Sequence, residues 1–453
     1  MTGSLRGGVD PYLPGIGDDG YAVDRYGLEL DYRVSVNRLQ GTAVIEAMAL
    51  RELPRIRFDL SGLRASKVLV GSGASGDARA DAASAQRARH SRTPHHLTVT
   101  PASPIAAGER FVVVVDYAGT PRSRRSTWGP VGWEELDDGV IVAAQPSGAS
   151  TWFPCNDHPS DKARYEITVV TDAPYTVVAN GRQVSNRAHG GRRTWHFVQD
   201  QPTSTYLATV QIGRYTSTKV DLDGVAGHLV YPPSIARGVK HDFRELDRMM
   251  ALYQRLYGPY PFDGYTAIVT ADELEIPLEA QGAAIFGANH AAGDDAWNRL
   301  IAHELAHQWF GNSVGVAAWE HIWLNEGFAC YSEWLWSEER GGDSAEVCAR
   351  RHYDGLAAQP EDIVVGSPGA ADMFDDRVYK RGALALHALR GLLGDDAFFA
   401  LLRDWCADNR YGSVSTVDFL HAASAAAGSA HGGAARQLLE RWLFATELPP
   451  YPA

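Results

Sequence analysis

The stretch IAHELAHQWF, residues 301–310, sets His303 and His307 four positions apart, with Glu304 beside the first and apolar residues around them. At ~3.6 residues per turn, both imidazoles leave a helix on nearly the same side, close enough to share one cation, while Glu304 points about 100° away. Two neutral imidazoles are borderline-soft nitrogen ligands that suit zinc, and the glutamate between them can reach a metal-held water without being consumed as a ligand. The competing reading is a buried helix that happens to carry two histidines. A third ligand weighs against it. Glu326, in WLNEGFA, stands nineteen positions after His307 at the start of a second helical segment. Catalytic zinc commonly takes three protein ligands, two histidines and one glutamate among the attested sets. The alternative for Glu326 is a first-turn carboxylate favoured by the helix dipole.

Composition bounds what surrounds this motif. A chain of 453 residues exceeds what one hydrophobic core usually organises, so two or three domains are expected, and 45% hydrophobic residues is ample to fill them. A net charge of -13 argues against nucleic acid and against an anionic membrane surface, both of which demand clustered Lys and Arg. The first twenty residues lack a cationic stretch followed by an apolar core, and no apolar run approaches the ~20 residues that span a bilayer. The expectation is a soluble, cytoplasmic protein. Cys155, Cys330, Cys348 and Cys406 lie far apart with no CxxC pairing and read as core thiols.

The character of the chain changes near residue 220. Before it, short Val-, Thr- and aromatic-rich segments such as AVIEAMAL, RFVVVVDYAG, ARYEITVVT and RRTWHFVQ read as strands of an antiparallel, sandwich-like domain. Asn180-Gly181 lies between two of them and is a hairpin signal. Residues 71–96 are poor in large apolar residues and read as a long surface loop. After residue 225 helical periods dominate. Phe243, Leu246, Met249, Met250, Tyr253 and Leu256 share one helix face that Gly258-Pro259 terminates, and Asp294 or Asp295 with Gly311 are expected to bound the helix carrying the histidines. The fold class expected is α+β: an N-terminal antiparallel β domain, residues 1–220, followed by a mainly α-helical domain, residues 221–453.

With HELAHQWFGN followed by WLNEGFA, the sequence resembles the zinc aminopeptidases of the aminopeptidase N family, the gluzincin group that also includes leukotriene hydrolases. The likeness extends to STWFPCNDHPSDKARYEITV and PTSTYLATVQIGRY, then to YGPYPF and VYKRGALALHAL, and covers about residues 20–450. It implies a saddle-like β domain packed on a thermolysin-like catalytic domain, with the active site in the cleft between them. The β-sandwich and helical superhelix of larger members are expected to be absent after LPPYPA, which would leave the cleft more open.

The resemblance also implies roles. His303, His307 and Glu326 match the ligands of one Zn2+ per chain, and Glu304 matches the general base acting on the zinc-activated water. Tyr379, in VYKRG, matches the tyrosine that donates to the oxyanion; on its own, a lone helical tyrosine reads as core packing. IPLEAQGAAIF aligns with the family's exopeptidase segment through Glu279 and Gly282, with Glu279 the candidate anchor for a free α-ammonium. Ile276, Pro277 and Ala280 depart from the family's Gly, Ala and Asn there. Gln145, in AAQPSGA, matches the place where relatives hold a Gln or Glu near the same amine. Glu333 and Tyr331 are candidates for orienting a ligating histidine, with an ordinary helix surface as the alternative. His158, His290 and His321 receive no role.

The expected function is a zinc-dependent aminopeptidase acting on peptides with a free N-terminus. An endopeptidase or epoxide hydrolase on the same zinc site is the nearest rival. A peptide-binding protein without turnover is the rival from another class, and it has no use for Glu304 or Tyr379.

Overall fold

In the computed structural model, which describes residues 9–73 and 78–451, alternate side chains of the first-half strands leave solvent together. Tyr26, Leu28, Leu30 and Tyr32 are buried on strand Tyr21–Arg33, as are Ile167 and Val169 on Ala163–Asp172 and Val113, Val115 and Tyr117 on Arg110–Gly119. That period of two is what one core-facing side of a sheet requires. These strands belong to an eight-stranded sheet. A five-stranded sheet and a three-stranded sheet cover its inner face, and Trp133, Val142, Ile212 and Phe58 from those layers join the same core. Tyr32 meets Trp133 edge-on across the layers with ring centroids 4.9 Å apart.

Three first-half expectations change. Tyr21–Arg33 pairs in parallel with Ala163–Asp172, so the sheet is not wholly antiparallel. A parallel pair needs a long crossover, and the covering strands between them in sequence supply it. Asn180-Gly181 makes a turn but no hairpin. Thr176–Ala179 pairs within the five-stranded sheet, whereas Arg182–His189 pairs with Arg192–Thr203 in the eight-stranded one. Gly181, at φ +81°, lets the chain switch layers, and any Cβ there would meet the Val198 carbonyl oxygen at 2.2 Å. Finally, 71–96 is not simply a loop. It holds the helix Ala78–Ser84 and the strands Gln86–Arg87 and Arg89–Arg92, with residues 74–77 outside the described part. Ladder pairing to Leu69 and Val70 and to the His96–Thr100 strand orders residues whose own composition carries no strand signal.

The second half is mainly helical, with a five-stranded mixed sheet at its start. Thr216–Leu222 already belongs to that sheet. Its inner strands Val225–Tyr231, Tyr265–Val269 and Ala283–Phe286 are parallel, and the last of these is fully buried. The expected 243–256 helix runs from Leu246 to Tyr257 and buries Met249, Met250 and Tyr253. Helices Asn298–Ala306, Trp323–Glu339 and Asp376–Leu393 bring the chemistry together. The latter two touch through Gly327 and Gly382, where a Cβ on either would meet the other's backbone at 3.0–3.1 Å. All four cysteines are free and buried. No described helix is long and apolar enough to cross a membrane.

The two halves are joined by buried polar contacts. Lys162 donates from Nζ to the carbonyls of Asn312 and Ser313, each at 3.0 Å, and Asn180 Nδ2 donates to the carbonyls of Leu207 and Gln281 at 2.8 and 3.0 Å. Both contacts seat the first half on segments adjoining the histidine helix and the Glu279 strand.

Candidate active site

The histidine helix is shorter than expected. It begins at Asn298, with Asp294 capping only a turn at Ala296 and Asp295 held by Arg244. It ends at Ala306, where the chain widens: the N–H groups of Asn312, Ser313 and Val314 donate to the carbonyls of His307, Gln308 and Trp309. Gly311 therefore sits inside the closing turn and not at the helix cap. That widening leaves the Phe310 carbonyl free to accept from His307 Nδ1 at 3.1 Å.

His303 is held the same way by a different partner, Glu333 Oε1, at 2.7 Å from Nδ1. With both Nδ1 atoms donating, both Nε2 atoms are left to face Glu326, and they converge on it. Its Oε2 lies 3.5 Å from His303 Nε2 and 3.4 Å from His307 Nε2. The three ligand atoms lie within 4.8 Å of one another and all three residues are buried. Two imidazoles with a fixed tautomer and one carboxylate fit a borderline divalent cation such as zinc. Of the two weighed partners, Glu333 is the one that orients a histidine, and Arg299 Nη1 supports it at 3.0 Å. Tyr331 faces His387 and Arg390 instead. Arg299, one turn before His303, escaped the sequence reading although its i, i+4 spacing was there to be used.

The charges agree with a cation site. Burial works against charge on the imidazoles, yet Glu326, together with Glu333 for His303, outweighs it and holds His303 at about 9 and His307 at about 10. Burial raises Glu304, and raises Glu279 to about 8 with Glu326 and Glu304 adding repulsion. Four carboxylates thus crowd two imidazoles, a potential that a dication relieves.

Around this centre lies a cleft of about 590 Å³ with walls from both halves, lined by Gln145 and Trp128 on one side and by Glu279, Glu304, Arg299 and Tyr379 on the other. Tyr379 stacks near His303 with ring centroids 6.2 Å apart. Glu279 sits on the edge strand Leu278–Ala280, which Gln308 ties to the histidine helix through the Ala280 carbonyl at 3.1 Å. Ligand atoms of Glu279, Glu304 and His307 also fall within 4.8 Å of one another. Gln145 Nε2 donates to Glu279 Oε1 at 2.7 Å, bringing that pair together. Gly282 is the exception. It does not line the cleft, and its N–H is taken by Gln308 Oε1 at 2.8 Å in the turn after the strand. His158, His290 and His321 stay outside the cleft, each with a local partner.

Comparison with known proteins points the same way. The model described as peptidase M1 N-terminal domain matches residues 22–207, and that of the peptidase family M1 domain matches 242–442. Aminopeptidase M1 of Arabidopsis thaliana is 26% identical over 328 residues, 67% of this chain and 37% of its own length. Probable aminopeptidase 2 of Sulfurisphaera tokodaii is 26% identical over 334 residues, 68% and 42% respectively. The chain thus spans about two fifths of the length of these curated relatives. A crystal structure of M1 zinc metallopeptidase from Deinococcus radiodurans is 30% identical, with a TM-score of 0.87, covering 98% of this chain and 99% of the other. A mutant of that protein bound to a Tyr-Ser-Ala substrate gives a TM-score of 0.88.

Proposed function

The chain belongs to peptidase family M1, whose solved neighbours are zinc metallopeptidases, and from that premise we propose that it is a zinc aminopeptidase removing the N-terminal residue of peptides. His303, His307 and Glu326 would hold the zinc. When bound, zinc supplies a Lewis acid that polarises the scissile carbonyl and makes water acidic enough to ionise near neutral pH.

The protein's own groups do the rest. Glu304 takes the proton of the attacking water and returns it to the leaving amine. Its burial favours the protonated state, which strengthens Glu304 as the base that takes the proton from water. Tyr379 donates its hydroxyl to the oxyanion as it forms; burial and the neighbouring carboxylates keep that hydroxyl protonated. Glu279, oriented by Gln145, accepts the substrate's α-ammonium, and the pair's desolvation penalises a blocked terminus.

One observation carries this reading. Glu279 and Glu304 lie within 4.8 Å of each other and of His307, so the amine anchor and the base are separated by no more than one residue of substrate. An endopeptidase has no use for an anchor that close. We keep two further elements in the reading: a division into two domains near residue 220, and a cytoplasmic location, supported by four cysteines that remain free.

The test is a panel of aminoacyl reporters, free and N-acetylated, assayed with and without a chelator and with zinc restored. Cleavage of free forms only, abolished by chelation and recovered with zinc, is the expected result. Equal cleavage of both forms would replace the aminopeptidase by an endopeptidase.

A further inference from the structure

One carboxylate in the cleft has no part in the chemistry above. Glu134 lies on strand Gly129–Leu136, directly opposite Ile141 on Gly139–Ala143. Because side chains alternate between faces, Glu134, Ile141 and Ala143 share one face of this wall, and all three line the cleft together with Gln145, in the turn that follows the strand. Among the described residues no cation or donor meets Glu134. Burial raises its carboxyl above the usual range and Asp272 adds repulsion, with nothing opposing them.

The neighbourhood deepens the deficit. Glu273 and Glu275 line the same cleft and are exposed, whereas the cleft's Arg299 and Lys380 are already engaged by Glu333 and Asp376. Between Glu134 and the amine anchor the wall is apolar, with Ile141 and Leu274 buried. Gln145, which holds the anchor, comes four positions after Ile141, past the end of that strand. A side chain that starts beside Glu279, crosses Ile141 and Leu274 and ends at Glu134 must be apolar along its stem and positive at its tip. Lysine and arginine answer that description, since they bury their methylenes while presenting a charged head.

We propose that Glu134 is a specificity residue that selects peptides whose N-terminal residue is lysine or arginine, with the stem along Ile141 and Leu274 and the cationic head on the Glu134 carboxylate. This rests on the aminopeptidase reading, because the anchor at Glu279 sets where the side chain begins.

Lysyl, arginyl and norleucyl coumarin amides separate charge from shape, since norleucine keeps most of the lysine stem without its ammonium. The wild-type protein is expected to show kcat/KM at least about tenfold higher for lysyl and arginyl than for norleucyl, the size of one charge-assisted hydrogen bond. Glu134→Gln is expected to lower the two cationic substrates about tenfold while norleucyl stays within about twofold, and Glu134→Lys to make norleucyl the best of the three. Wild-type protein that cleaves norleucyl as well as lysyl overturns the proposal without any variant, as does an unchanged lysyl preference in Glu134→Gln. Failure of the underlying reading has a different signature. None of the three free-amine reporters is then cleaved, or their N-acetylated forms are cleaved equally fast, and the proposal falls with it.

Discussion

Gln145 and Glu279 stand 134 positions apart on different halves of the chain, yet the Gln145 amide donates to the Glu279 carboxylate at 2.7 Å across the cleft. The bond fixes the rotamer of the amine anchor from the opposite wall. Gln145→Ala is therefore expected to raise KM for free-amine reporters about tenfold, the size of one hydrogen bond to a charged group, with kcat changed much less. Steady-state kinetics on one alanyl or leucyl reporter checks this. An unchanged KM would mean that Glu279 is positioned by its own strand alone.

Glu304 lies beside the three proposed ligands and is not needed to complete them. Glu304→Gln is expected to keep one zinc per chain while kcat falls about 10³-fold, within the range for a lost general base. Metal analysis and turnover on the same preparation decide it, and a variant with wild-type kcat would end the proposed role.

Glu333 fixes the His303 ring through a 2.7 Å bond to Nδ1. Partners of this kind are typically worth 10–100-fold in metal affinity, so Glu333→Gln should weaken zinc binding by roughly that factor. Competition against a fluorescent chelator measures it directly. Equal affinity in the two proteins would show that the helix alone orients the imidazole.

Asp157 is expected to make stability depend on pH. Burial, reinforced by Asp59, raises its carboxyl from 3.8 to about 7, and among the described residues its Oδ2 has no hydrogen-bond partner. Between those values the folded state holds a proton that the unfolded chain has released, so this group's contribution falls as pH rises from about 4 to about 7 and is level above. The slope reaches at most about 1.4 kcal/mol per pH unit. Asp157→Asn keeps the shape of the neutral acid. Its stability relative to wild type should grow across that window and stay constant from pH 7 to 9, as read by denaturant unfolding at several pH values. A pH-independent difference would contradict the assignment.

Much of this molecule is visible in short stretches of sequence. The spacing of His303 and His307 places both rings on one helix side because the helical repeat is a property of the backbone, and the alternation in residues 26–32 buries one strand face for the same reason. Glu326 was reachable through its place in WLNEGFA, although the 3.4–3.5 Å convergence on both rings was not. Where the expectation missed, the deciding contact was distant. Asn180-Gly181 has the composition of a hairpin but joins strands of different sheets, because the partners that bury Val177 and pair with Arg182 come from elsewhere in the chain. Gly282 matched a motif by alignment; its N–H is held by Gln308, and it is not among the residues lining the cleft.

Sequence by itself therefore determined most of the elements and the local chemistry: which strongly periodic segments are helix or strand, and which histidines and glutamates a helix presents together. Backbone hydrogen-bond geometry repeats every few residues and leaves its period in the residue order. Only the tertiary structure decided which carboxylate holds His303, which wall carries the partner of Glu279, and that Glu134 faces the cleft. Those relationships arise when two domains bury their surfaces against each other, and contacts made across that interface follow no period that a single stretch of residues can record.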